Sequence, residues 1–194
     1  MLIKGKVIPQ NNEKAKKLLD NKLKEDVGNY YLLYGMLNKK EKKYDEALKC
    51  FEKSMNENNG NSMCEYATMI YEGNGLPSDE ERAFKYYKKA ADNGCVKALF
   101  KLGKILKVDM DNDKGIPFLK LAAEKGNPNA QFYYSWLIEE DEIDTDDETD
   151  SIEYLKKSAY QGNVEAMKFL YQNLFGEEDI YDQKALVYFL KKYH

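Results

Sequence analysis

The sequence predicts an all-α chain, a stack of paired helices built from tandem repeats of roughly 36 residues. Three observations carry this. Helical hydrophobic spacing runs through the chain, as in Phe84, Tyr87 and Ala91 and in Ile152, Leu155 and Ala159. Proline is scarce, with four in 194 residues, which favours uninterrupted helices. Small residues also recur in phase. Gly94, Gly126 and Gly162 lie 32 and 36 residues apart, and Ala98, Ala130 and Ala166 follow each by four.

Each mark has a physical reason. The glycines close apolar helical patterns, where a left-handed terminal residue favours glycine. The alanines open the next helix, and their small side chains let two helices approach closely. Second helices begin at polar turns. Ser78 is the expected N-cap of one, with Glu81 three residues on completing a capping box, and Tyr44-Asp45-Glu46-Ala47 holds the same place one repeat earlier. Eleven helices are expected, near 11–24, 29–39, 43–57, 61–73, 78–92, 96–107, 111–125, 128–140, 148–161, 164–175 and 180–193. Gly115 and Pro117 fall inside the seventh, so a late start or a kink is expected there.

Composition excludes several function classes. Hydrophobic residues at 43% support a core, and interspersed charges at 33% describe a globular chain. No apolar run spans a bilayer, and Met1 to Gln10 lack the apolar stretch of a secretory signal. Cys50, Cys64 and Cys95 have neither disulfide nor zinc spacing, which favours a reducing compartment and small-hydrophobe roles. The expected location is therefore cytoplasmic. The net charge of −4 is uneven. Residues 1–60 hold 13 lysines against nine acids, whereas residues 139–194 hold six basic and 15 acidic residues. A basic start and an acidic end do not make a nucleic-acid surface.

No catalytic residue, metal ligand or cofactor is predicted. His194, the single histidine, is the last residue, and no nucleophile motif or phosphate-cradling loop is present. Asp109-Met110-Asp111-Asn112-Asp113 has the look of a calcium loop, but the twelfth position is Lys120 where a bidentate glutamate belongs. Glu139 to Asp150 holds nine acidic residues in twelve and reads as a solvated loop.

One stretch is specific enough to name a likeness. Tyr66-Ala67-Thr68-Met69-Ile70-Tyr71-Glu72-Gly73-Asn74-Gly75-Leu76, followed by Ala83-Phe84-Lys85-Tyr86-Tyr87-Lys88-Lys89-Ala90-Ala91-Asp92-Asn93-Gly94, resembles the Sel-one-like repeat, a relative of the tetratricopeptide repeat. The first full unit, with Tyr31, Tyr34-Gly35, Tyr44-Asp45-Glu46-Ala47, Phe51 and Ser54, resembles the tetratricopeptide repeat itself. The resemblance implies a right-handed α-α superhelix forming a single repeat domain over residues 1–194. Within it, a half-unit at 1–27 precedes full units near 28–60, 61–96, 97–128 and 129–164, and a helix pair at 165–194 follows. The third unit lacks the Gly-x-Gly-Leu loop, and the paired repeat cysteines of secreted bacterial members are absent.

The resemblance implies a concave face lined by the first helix of each pair. Position by position this gives Asn29, Leu32, Met36 and Lys39; Asn61, Cys64, Thr68 and Tyr71; Lys97, Phe100, Lys104 and Lys107; Asn129, Phe132, Trp136 and Glu139; and Glu165, Lys168, Gln172 and Phe175. The expected partner-binding residues are Tyr71, Phe100, Lys104, Lys107, Phe132, Trp136, Lys168 and Gln172. Aromatic anchors beside cations suit an extended protein or peptide segment with apolar and acidic side chains. Phe132 and Trp136 would serve equally as core between helices. The function expected is a non-enzymatic adaptor or scaffold, with no membrane or nucleic-acid partner. The alternatives are a fragment of a larger repeat protein, self-associating through its repeat ends, or a small-ligand binder or enzyme using the same groove.

Overall fold

The structure, a computed structural model, describes residues 26–109, 113–140 and 148–175. Among these there is no strand, and nine α-helices follow one another: α1 (Val27–Lys40), α2 (Tyr44–Met55), α3 (Gly60–Glu72), α4 (Glu80–Asp92), α5 (Val96–Lys104), α6 (Ile116–Glu124), α7 (Pro128–Glu139), α8 (Glu148–Tyr160) and α9 (Val164–Phe175). The helices expected near 11–24 and 180–193 lie outside the described residues.

The helix starts follow from capping chemistry. Asp26, Asn59, Asp79 and Asn127 each accept a hydrogen bond from the backbone N–H three residues on, at 3.1, 3.1, 2.9 and 3.0 Å. Asn163 does the same for Ala166 at 3.1 Å. One expectation needs correction: Ser78 is not the cap of α4. Asp79 takes that role, and the Ser78 hydroxyl donates to the Tyr71 carbonyl at 2.9 Å. A carboxylate at the cap also suits the positive helix end better than a hydroxyl.

Helix ends explain the glycine phase. Gly94, Gly126 and Gly162 have φ of 80°, 84° and 91°. Asn58 holds the corresponding place in the first unit with φ 55°, asparagine being the side chain that best tolerates this region after glycine.

Contacts divide the chain into two compact units, residues 1–95 and 96–194. In the first, α1 packs on α2, α3 on α4 and α2 on α3. Its core holds Phe51, Ala67, Met69, Ile70, Ala83 and Tyr87, all fully buried. α1 lies close on α2 at Gly35, where a Cβ would sit within 3.0 Å of the Phe51 ring.

In the second unit α5 packs on α6, α6 on α7, α7 on α8 and α8 on α9. Leu102, Leu119, Leu137 and Leu155 form its interior with Ala122, Ala130 and Ala166. α5 passes into a π-turn over Ile105–Asp109, and a 3-10 turn, Asp113–Gly115, leads into α6. α6 therefore starts late, at Ile116, with Pro117 in its first turn, where a missing N–H costs nothing.

Buried serines fasten first helices to second helices. The Ser54 hydroxyl donates to the Gly28 carbonyl and the Ser158 hydroxyl to the Pro128 carbonyl, both at 2.6 Å. Ala90 and Ala122 stand at the same distance ahead of their terminal glycines, where no such bond is made.

Candidate interaction surface

In the second unit, first helices α5, α7 and α9 carry most of the expected binding residues. The burial pattern of α7 decides which side of it is available. Ala130, Gln131, Tyr134, Ser135, Leu137 and Ile138 are buried, whereas Phe132, Tyr133 and Trp136 are half-buried. The spacing of these three places them along one stripe of the helix.

Tyr133 and Trp136 stack, with ring centroids 5.6 Å apart and planes at 29°. Two rings stacked in this way present a joint apolar surface on the half-buried side of α7. Phe132 turns to the neighbouring first helix. Its ring meets Phe169 of α9 edge-on at 6.3 Å, and both rings pack against the cluster of Leu155, Ala159, Ala166 and Leu170. Phe132 thus has a structural duty, joining α7 to α9.

Phe100 is half-buried on α5, with Lys104 exposed one turn further on. Lys107, in the π-turn, binds Asp113 at 2.9 Å, and only 11% of its side chain is exposed. That pair clamps the α5–α6 connection and draws Lys107 away from solvent. Lys168 is exposed on α9 and lies 3.4 Å from Glu165, and Gln172 is exposed one turn on.

Tyr71 belongs to the first unit, half-buried near the end of α3, and its carbonyl receives the Ser78 hydroxyl. Met36 on α1 is exposed, whereas several other first-helix positions of that unit serve its own packing. Leu32 and Cys64 are buried, and Lys39 bridges to Glu65 at 3.1 Å. Thr68 accepts a hydrogen bond from the Tyr87 phenol at 3.0 Å, and burial pushes that phenol well above its ordinary range. Asn29 accepts from Asn59 at 3.2 Å, and in the second unit Asn129 accepts from Asn163 at 3.2 Å. The cap of one first helix is therefore tied to the start of the preceding one in both units.

Tyr133 was not among the expected binding residues. Its signal in the sequence is its i,i+3 relation to Trp136, which becomes informative only once the buried side of α7 is known.

Among the described residues, no group of three or more His, Cys, Asp or Glu is placed to hold a metal ion. No helix among them is long and apolar enough to cross a membrane.

The fold and this surface together define a tandem helix-pair repeat protein. The chain belongs to the Sel1 repeat family, whose repeat matches residues 1–20, 26–59, 60–95, 96–127 and 128–163. It is similar in structure to a Sel1 repeat protein from Oxalobacter formigenes, with a TM-score of 0.74 at 18% identity, covering 96% of this chain and 82% of that one. It is also similar to c5321, a protective antigen of uropathogenic Escherichia coli displaying an SLR fold, with a TM-score of 0.65 at 20% identity, covering 92% of this chain and 40% of the antigen. The immunity protein Pa5087 from Pseudomonas aeruginosa gives 0.67 at 17% identity, covering 93% and 72%. Comparison with curated proteins finds no match. Sel1 repeats are in general helical scaffolds for protein–protein interaction and are typically non-enzymatic.

Proposed function

We propose that this chain is a non-enzymatic adaptor that holds an extended segment of a protein partner on the first helices of its second unit. The observation that carries the reading is the stacked, half-buried Tyr133–Trp136 pair on α7. Aromatic rings that are rigid before binding lose little freedom on binding, which is why such residues dominate interface energies.

In this reading Trp136 and Tyr133 anchor an apolar side chain of the partner. Phe100 extends the apolar strip on α5, and Phe132 holds α7 against α9. Lys104 and Lys168 meet acidic side chains, and Gln172 offers a hydrogen-bonding amide. Lys107 contributes to the local field, its ammonium being committed to Asp113. Tyr71 on α3 is the corresponding first-helix aromatic of the other unit.

The test is capture of the partner from source-cell extract by wild type and by a Trp136→Ala/Lys104→Ala double variant. Loss of capture by about a hundredfold in affinity, with the far-ultraviolet helix signal intact, is the expected result. Full-affinity capture by the double variant would remove the assignment. Trp136 is the only tryptophan, so its emission also reports directly on whether the partner sits on it.

A further inference from the structure

α4 carries a feature that the first-helix surface does not use. Arg82, Lys85, Lys88 and Lys89 fall within two turns of this second helix and are all exposed. Tyr86 lies among them, half-buried. The Lys89 ammonium sits 5.5 Å from the Tyr86 ring centroid and the Arg82 guanidinium 6.0 Å from it. Arg82 is also held by the Tyr66 hydroxyl, to which it donates at 3.1 Å, and the Tyr66 and Tyr86 rings meet edge-on at 5.0 Å. Arg82, Lys85, Tyr86, Lys88, Lys89 and Asp92 line a shallow cleft of about 360 Å³.

From these observations we infer a second binding surface on α4, for an acidic peptide segment of a protein partner. The cationic heads at its two ends rest on an aromatic ring. That restricts their motion before binding and lowers the entropic cost of pairing them with carboxylates. Lys85 contacts Glu81 at 2.7 Å, but both side chains are largely exposed. Such a pair is weak and gives way to a better-placed carboxylate. From Arg82 to Lys89 the helix rises about 10 Å, the reach of three or four extended residues. Two carboxylates with an apolar side chain between them fit that length, the apolar side chain lying on Tyr86. A nucleic acid fits less well. Glu81 and Asp92 lie at opposite ends of the patch and interrupt the continuous positive track that a phosphate backbone needs.

The repeat supplies its own control. Tyr86 and Lys89 precede Gly94 by eight and five residues, and Tyr154 and Lys157 precede Gly162 by the same intervals. Lys157 likewise sits over Tyr154, at 5.6 Å, and both line a cleft in the second unit. There, however, Asp150 and Glu153 occupy the places of Arg82 and Lys85, and Tyr160 that of Asp92. The tyrosine–lysine contact is therefore shared by the two helices, and of the two it is α4 that concentrates cations around it.

The experiment uses the full chain and a labelled peptide of about a dozen residues, rich in glutamate with one central phenylalanine. Binding is followed by fluorescence anisotropy for wild type, Lys88→Glu/Lys89→Glu and Lys156→Glu/Lys157→Glu. The two variants change net charge equally at matched repeat positions. The proposal expects saturable wild-type binding that weakens with salt. It expects a loss of about tenfold or more in the α4 variant and less than about twofold in the α8 variant. Equal losses in both variants, or no saturable binding by wild type, would overturn it. So would tighter binding of a single-stranded oligonucleotide to the same patch, or concentration-dependent self-association abolished by Lys88→Glu/Lys89→Glu. Trp136→Ala should leave this binding unchanged, which separates the outcome from the fate of the first-helix surface.

Discussion

Ser54 and Ser158 show how one atom divides otherwise equivalent repeats. Both hydroxyls donate to a first-helix carbonyl at 2.6 Å. Ser54 also accepts from the buried Ser62 hydroxyl, whereas the Pro128 carbonyl under Ser158 has a second donor in Asn163 at 3.3 Å. Each carbonyl keeps the helical N–H four residues on, but Ser54→Ala also takes away the acceptor of the buried Ser62 hydroxyl, a loss with no counterpart in Ser158→Ala. Urea unfolding should show about 2 kcal/mol lost in the first case and about 1 kcal/mol or less in the second; the reverse order would contradict this pairing. Gly126 tests conformation alone. It has φ of 84° and nothing within 4 Å of an added Cβ, so Gly126→Ala should cost about 1 kcal/mol through backbone strain only. Tyr87 makes stability depend on pH. Its phenol is held neutral by burial, so its folded pKa lies above the ordinary 10.0. The contribution is intact below that value and is lost as pH rises beyond it. The urea midpoint should fall more steeply above pH 10.0 in wild type than in Tyr87→Phe. Asp26 runs oppositely. Hydrogen bonds from the Asn29 backbone and side chain hold its carboxyl below the usual 3.8. Its help to α1 is present above that value and is lost as pH falls through the lower folded value. An NMR titration of Asp26 giving a midpoint at or above 3.8 would refute this. At this scale the sequence was legible where residue type is decisive. Gly94, Gly126 and Gly162 announced left-handed ends. Asn58 did not, because asparagine serves equally well as the N-cap one residue later, at Asn59.

Among the elements, α5 crosses the entry to α6 with backbone close against backbone. A Cβ on Gly103 would lie 2.6 Å from Leu119 Cγ, and one on Gly115 would strike the Gly103 carbonyl oxygen and approach the Lys107 nitrogen to 2.7 Å. The short third unit, its π-turn and the late start of α6 all meet at this crossing. Gly115→Ala should therefore cost about 3 kcal/mol, well above the cost of Gly126→Ala, because backbone rather than a flexible side chain must move. Equal thermal shifts for the two alanine variants would disprove the crossing. Helix order and the late start at Pro117 could be read from the sequence, since proline and apolar spacing act locally. The cap of α4 and the burial of Lys107 could not. The first depended on competition between adjacent Ser78 and Asp79, and the second on an ion pair across a connection whose path no local rule sets.

On the scale of the whole molecule, an in-phase repeat made the fold class readable from one sequence, and repeat membership brings a general role as a protein scaffold. The proposed binding residues were less legible. Helical spacing alone gives Phe132 and Trp136 equal claims, yet Phe132 packs on the α8–α9 core while Trp136 stacks on Tyr133. Nor did charge averaged over long segments disclose the α4 patch, because Glu80, Glu81 and Asp92 nearly cancel its cations. The central claim is that the partner is held on the first helices of the second unit. Hydrogen–deuterium exchange of the chain, alone and with its captured partner, tests it most directly. Slowed exchange concentrated in α5, α7 and α9, and abolished with Trp136→Ala/Lys104→Ala, is the predicted result. Protection confined to the second helices α6 and α8, or unchanged in the double variant, would contradict it.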